Sequence, residues 1–323
     1  MVAEIRDAGG EAIASHADIS QPTSGDTLIS DTINRYGRID AIIHNAGNMR
    51  CAAFDSAPAS DLQAMLEVHL IASYRLTQAA WPHFKNQCDG RVVFTTSSAA
   101  QFGSELHAGY AAAKGALAGL LRVLALEGEP HGILCNGLMP TAFTRMTDTV
   151  QQHKEDGNAA AEQLRALVGD AMKPEFSAGL AVFLASERCT FSGEVYSSCA
   201  GRMARVATVA ARGWQGSRAS PSTIGDIEAN IAAIRDLTPG VVEPASASDE
   251  FKQVLMTALQ SLLDAPRALN AAPQALPDAS PSPLPIWAIF KTPASAAKNR
   301  LDIIVERERR IRQPVASRTY SSS

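Results

Sequence analysis

Three residues carry side chains that could act together on one small molecule: Ser97, Tyr110 and Lys114. Tyr110 and Lys114 stand four apart, a spacing that puts them on one face of a helix. Ser97 precedes Tyr110 by thirteen residues, a reach short enough for a strand-end hydroxyl to meet that face. The chemistry this trio suits is the reversible interconversion of an alcohol and a carbonyl by hydride transfer. Hydride departure needs a group that takes the hydroxyl proton. A phenol can do so where a nearby cation pulls its pKa toward neutral. Lys114 is the cation in reach, and Ser97 would donate a hydrogen bond to the developing alkoxide. A plainer alternative puts Tyr110 in the core, Lys114 in solvent and Ser97 at a helix cap. For a YxxxK tetrad standing alone that alternative would prevail.

The surrounding segments read as elements able to position the trio. Residues 92–96 form an apolar, β-rich run that ends at the hydroxyls of Ser97 and Ser98. A short polar segment then leads into a helix rich in small residues, 110–128. Upstream, residues 2–8 read as a helix end stopped by Gly9 and Gly10. Residues 12–17 read as a short strand ending at Asp18, and 20–36 as a helix closed by Gly37. Residues 39–44 read as a buried strand entering Asn45-Ala46-Gly47, and 61–84 as one long helix. Downstream, 132–140 is a buried strand and 174–186 a helix that opens at Pro174. Residues 194–199 read as the final strand, with 202–212 a less regular extension.

Taken in order, these motifs resemble the short-chain dehydrogenase/reductase family. Its signature is a Ser followed thirteen residues later by YxxxK. Asn45-Ala46-Gly47 matches the family's NAG motif, Asp18-Ile19 its Asp-Val pair, and Pro140 the proline of its N-x-x-x-P-G turn. The segments EVHL (67–70), AAWPHFK (79–85), RMTDTV (145–150) and KPEF (173–176) are most similar to one branch. That branch comprises the (3R)-hydroxyacyl-CoA dehydrogenase domains of peroxisomal multifunctional enzymes. The resemblance covers roughly residues 1–214. It implies an NAD- or NADP-dependent oxidoreductase acting on a 3-hydroxyacyl thioester. Tyr110 would be its acid/base, with Ser97 polarising the substrate oxygen. Lys114 would lower the Tyr110 pKa and hold the nicotinamide ribose. Asn45, Ala46 and Gly47 would line the cofactor with Pro140, and Asp18 and Ile19 would face the adenine. His69 stands where many members carry an Asn, and takes a supporting role. Thr141 replaces the glycine that usually follows the proline.

The family's glycine-rich turn receives a pyrophosphate at a helix N-terminus. No TGxxxGxG or GxGxxG precedes Asp18. The expected fold is therefore a Rossmann-like, doubly wound parallel α/β sheet truncated at its N-terminus, with the first two strands absent. The edge beside strand 39–44 would be bare, and the C-terminal extension partly disordered. A truncated gene product or a splice form would have this character. From that loss follows an alternative function, a catalytically inactive remnant acting as an interaction or dimerisation module.

The dehydrogenase domain is assigned to residues 1–216 and a helical extension to 217–264. Residues 265–323 form a Pro/Ala-rich linker with a basic tail. Within these, 151–170 reads as a mobile helical segment over the substrate. Residues 223–237 and 250–263 read as amphipathic helices. A net charge of −4 gives no general attraction to nucleic acid or anionic membrane. No apolar run reads as a membrane span. Five scattered cysteines show no metal-site spacing and point to reduced thiols. The expected partners are a small-molecule substrate and a second copy, as a homodimer or homotetramer through helices 61–84 and 108–128. A cytoplasmic location is expected. The resemblance leaves peroxisomes open, although the chain ends in Ser321-Ser322-Ser323 and not in an SKL-type signal.

Overall fold

A computed structural model describes residues 1–144, 146, 169–217, 220–238, 240–252 and 254. These belong to one compact unit, Met1–Asp264. The expectations for 151–168, 255–263 and the linker and tail at 265–323 fall outside the described residues.

Five strands form one sheet in the order β1-β2-β3-β4-β5. They are β1 (Ala41–His44), β2 (Gly90–Thr95), β3 (Ile133–Thr141), β4 (Val195–Cys199) and β5 (Arg202–Val206). The first four pair in parallel, with Ile42 opposite Val92, Val92 opposite Cys135 and Leu138 opposite Tyr196. Parallel neighbours need crossovers long enough to hold a helix, and helices fill them. α3 (Ala59–Leu66), a π-helical turn (Glu67–Ile71) and α4 (Ala72–Gln87) lie between β1 and β2. α5 (Ser98–Phe102) and α6 (Ala108–Gly128) lie between β2 and β3, and α7 (Glu175–Ala185) precedes β4. α1 (Val2–Asp7) and α2 (Ser24–Tyr36) precede the sheet, and α8 (Ile224–Arg235) follows it.

Side chains on a strand alternate faces, and the core divides accordingly. Val92, Phe94, Ile133, Cys135 and Met139 pack with Ile29 of α2, Phe84 of α4 and Leu117 and Leu121 of α6. Val93 and Leu138 point the other way and pack with Leu180 and Leu184 of α7. Helices on both faces make the sheet doubly wound, as expected. α6, extended to His131, is long and apolar enough to cross a membrane by length and composition. The expectation of no such run is thereby corrected. The helix is apolar because it lies on the sheet: Ala113, Leu117 and Leu121 are each at most 1% exposed.

Three further expectations change. Residues 12–17 form no strand and are mostly exposed, because no described strand lies alongside to share backbone hydrogen bonds. β1 is buried on one face only. Ile43 is 44% exposed, since β1 is an edge and only β2 pairs with it. The strand at Val195–Cys199 is not the last. Ala200 and Gly201, both at positive φ, turn the chain tightly and return it as β5, antiparallel to β4. Beyond it, an Ala210–Val242 bridge and an Arg205–Glu243 ion pair tie residues past 216 into the same unit. The predicted helix at 223–237 is present as α8, closed by a Thr223–Asp226 capping box. Its apolar stripe is not buried: Ile224, Ile227 and Ile231 are all exposed.

Candidate active site

β2 ends at Thr95, and the chain leaves the sheet through Thr96 and Ser97. The backbone N–H of Thr96 donates to Leu138 O at 2.7 Å, which anchors the strand end against β3. Ser97 is the N-cap of α5, its Oγ accepting from the Ala99 N–H at 3.2 Å. The plainer reading of Ser97 as a cap therefore holds, but for α5 and not for the helix of Tyr110. The cap occupies a lone pair and leaves the hydroxyl proton free to donate. Ser97 also interacts with the Tyr110 hydroxyl. The structure thus brings a serine from a strand end onto the face of α6.

Lys114, 4% exposed, donates from Nζ to Thr95 O at 2.6 Å. Its ammonium lies 5.9 Å from the Tyr110 ring centroid. Burial lowers the Lys114 pKa to about 8, because water no longer solvates the cation. Burial likewise holds Tyr110 above the ordinary phenol range, opposed by the hydrogen bond to Ser97. The expected lowering of Tyr110 by Lys114 does not outweigh that burial.

His69 sits in the π-helical turn and is 2% exposed. Such turns add a residue to a helix and recur at functional sites. Its Nε2–H donates to the Asn48 carbonyl at 2.7 Å. The ring stands edge-on to Tyr110, with centroids 5.4 Å apart. Burial, with the Lys114 charge adding to it, lowers the His69 pKa to about 4, so the ring is neutral. His69 Nδ1 and Asn48 Oδ1 are buried without a partner among the described residues. Gly47 must be glycine beside this ring: a Cβ there would lie 2.6 Å from His69 Cε1. A second imidazole, His107, flanks Tyr110 at 6.2 Å. At the end of β1, His44 stacks on Phe94 and shares a 2.8 Å hydrogen bond with Thr77, its pKa lowered to about 3 by burial.

Except for His44, behind the strand end, these side chains share one cavity of about 550 Å³ at the C-terminal ends of the parallel strands, where ligands of open α/β sheets bind. Asn45, Gly47, His69, Ser97, Tyr110, Lys114 and Pro140 all line it. Ala46 is exposed and does not. Asp18 and Ile19 do not line it either. Asp18 is fully exposed, and its carboxylate accepts from the Ser20 N–H, Ser20 Oγ and Gln21 Nε2. Those hydrogen bonds hold it below the usual carboxylate range. Sequence reasoning missed Met49, Phe102 and His107, which also line the cavity. No spacing in the sequence marks them, because a loop, the end of α5 and the N-cap of α6 bring them together.

A dinucleotide fits this site at one end. The cavity offers hydroxyl, phenol and ammonium groups beside an opening at Gly47, enough for a nicotinamide riboside. Among the described residues no glycine-rich turn opens a helix ahead of Asp18. The glycines ahead of Asp18, Gly9 and Gly10, follow the C-terminal end of α1 and offer no helix N-terminal amides.

The short chain dehydrogenase family matches residues 1–158. A short-chain type dehydrogenase/reductase of Mycobacterium tuberculosis is 34% identical over 238 residues, 74% of this chain and 78% of that protein. Peroxisomal multifunctional enzyme type 2 of Mus musculus is 36% identical over 201 residues, 62% of this chain. The match spans 25% of that enzyme's length. Among solved structures, the full-length peroxisomal multifunctional enzyme type 2 from Drosophila melanogaster superposes with a TM-score of 0.64 at 27% identity. It covers 81% of this chain and 43% of that one.

Proposed function

The chain belongs to the short-chain dehydrogenase/reductase family, and from that premise we propose that it interconverts 3-hydroxyacyl and 3-ketoacyl thioesters with NAD or NADP. Membership carries the coarser part, an NAD(P)-dependent oxidoreductase. The substrate class rests on the similarity to peroxisomal multifunctional enzymes. The observation that carries the assignment of roles is the meeting of Ser97, Tyr110 and Lys114 on one cavity wall.

Bound in the cavity, the nicotinamide supplies the hydride acceptor or donor. Ser97, its lone pair engaged by Ala99, donates its hydroxyl proton to the substrate oxygen. Tyr110 takes the substrate hydroxyl proton in oxidation and returns it in reduction. Lys114 holds the nicotinamide ribose. Among the described residues its Nζ donates to Thr95 O, and it carries three donors. Asn45, Gly47 and Pro140, which line the cavity, would border the cofactor with Ala46 beside them, and Asp18 and Ile19, outside the cavity, would face its adenine. His69, neutral and bonded to Asn48, props the Tyr110 ring from behind. Consumption of NADH or NADPH on adding a 3-ketoacyl-CoA tests this reading. No consumption with either cofactor at any chain length would refute it.

A second reading, an inactive module that pairs with another copy, draws on a groove between α4 and α6 lined by Tyr74, Trp81, Leu120 and Leu124. The same groove suits a homodimer of the active enzyme. NADH titration combined with size-exclusion chromatography separates the two readings: a dimer that does not bind NADH supports the module.

A further inference from the structure

The cavity has two unlike parts. Strand ends supply its polar floor: Asn45 after β1, Thr95 to Ser97 after β2, and Pro140 and Thr141 on β3. Three large apolar side chains, Met49, Phe102 and Met146, also line the cavity, and the exposed Phe102 marks its mouth. Phe102 is 72% exposed. It is the last residue of α5, followed directly by Gly103 at φ 80°. An aromatic ring left in water beside a cavity loses the hydrophobic stabilisation it would gain under cover. Met49, by contrast, is half-buried. Methionines adapt to apolar ligands of varied shape.

We infer that Phe102, with Met49 and Met146, forms the subsite for the aliphatic chain of the substrate and sets preference for longer chains. The inference rests on the thioester reading above. Ser97 and Tyr110 fix the reacting oxygen at the polar floor. The carbon chain then leaves the floor in the direction of α5, where Phe102 offers its face. Chains too short to reach the mouth gain nothing from it. Each methylene that becomes buried there raises kcat/KM by about fourfold. Phe102 carries no group that can exchange a proton, so its effect is on binding and not on proton transfer.

The test is the kinetics of 3-ketoacyl-CoA reduction by the full chain, using acyl chains from four to twelve carbons. The wild type should show kcat/KM rising with length. Phe102→Ala should leave the four-carbon substrate within twofold and lower kcat/KM on the longer chains by about tenfold, through KM. Phe102→Leu should restore most of the loss. The side chain is exposed, so the variant keeps its fold, which an unchanged melting temperature will verify. An equal loss at every length would overturn the inference and leave the thioester reading intact, as would no loss at all. Failure of the wild type on every acyl-CoA would overturn both.

Discussion

Two short segments match family motifs equally well yet meet different fates in the folded chain. Asn45-Ala46-Gly47 leaves β1 at the cavity, with Gly47 pressed against a buried imidazole. Asp18-Ile19 follows an exposed stretch that joins no sheet, and its carboxylate closes a local turn. The first is held by long-range packing, the second by neighbours two to six residues away. A motif match shows which residues could serve a ligand. The packing behind them sets how strongly a substitution there is felt.

The largest expected effect lies on the packed side. Tyr110→Phe should lower kcat by about a thousandfold or more, within the range for loss of an acid/base group. The melting temperature should barely move, since the phenol contributes one hydrogen bond, worth about 1 kcal/mol. Activity surviving this change would separate the cavity from the chemistry.

Acid should break the packed region next. His44 and His69 have folded pKa values lowered to about 3 and about 4. Below the unfolded value near 6.5 the unfolded chain binds protons that the folded one refuses, so stability falls as pH drops from 6.5 toward 4. At pH 5 each histidine costs about 2 kcal/mol. Thermal melts of wild type against His44→Phe should show the variant losing less between pH 7 and 5. Identical acid sensitivity would mean that His44 is not buried as described.

Gly47→Ala should cost about 1–3 kcal/mol by overpacking and weaken NADH binding in the same protein. Chemical denaturation and fluorescence titration measure the two effects. An alanine tolerated without cost would show that the His69 ring yields easily. The smallest effect falls on the exposed side. Asp18→Ala should raise the NADH Kd by about twofold to fivefold, as suits one solvent-exposed hydrogen bond. No change would remove Asp18 from the adenine site, and a much larger one would show that the loop is better anchored than its hydrogen bonds imply.

By itself the sequence determined what depends on short range. The four-residue step from Tyr110 to Lys114, the apolar β-rich run at 92–96 and the glycine closing α2 at Gly37 are local properties, and each was legible. So was the α/β order, read from helical spacing at 61–84, small residues at 110–128 and a proline start at 174, although the short α5 in the same crossover as α6 was not. Tertiary structure alone decided the rest. Residues 12–17 look like a strand, but a strand exists only where a partner supplies its hydrogen bonds, and no described strand lies beside them. β5 was hidden because its pairing comes from a turn at Ala200 and Gly201 and not from its own alternation. The electrostatics of the site were also beyond reach. Spacing placed a cation beside a phenol, while burial set both of their pKa values. Burial is a sum over neighbours from the whole sheet, and no local window of sequence contains that sum.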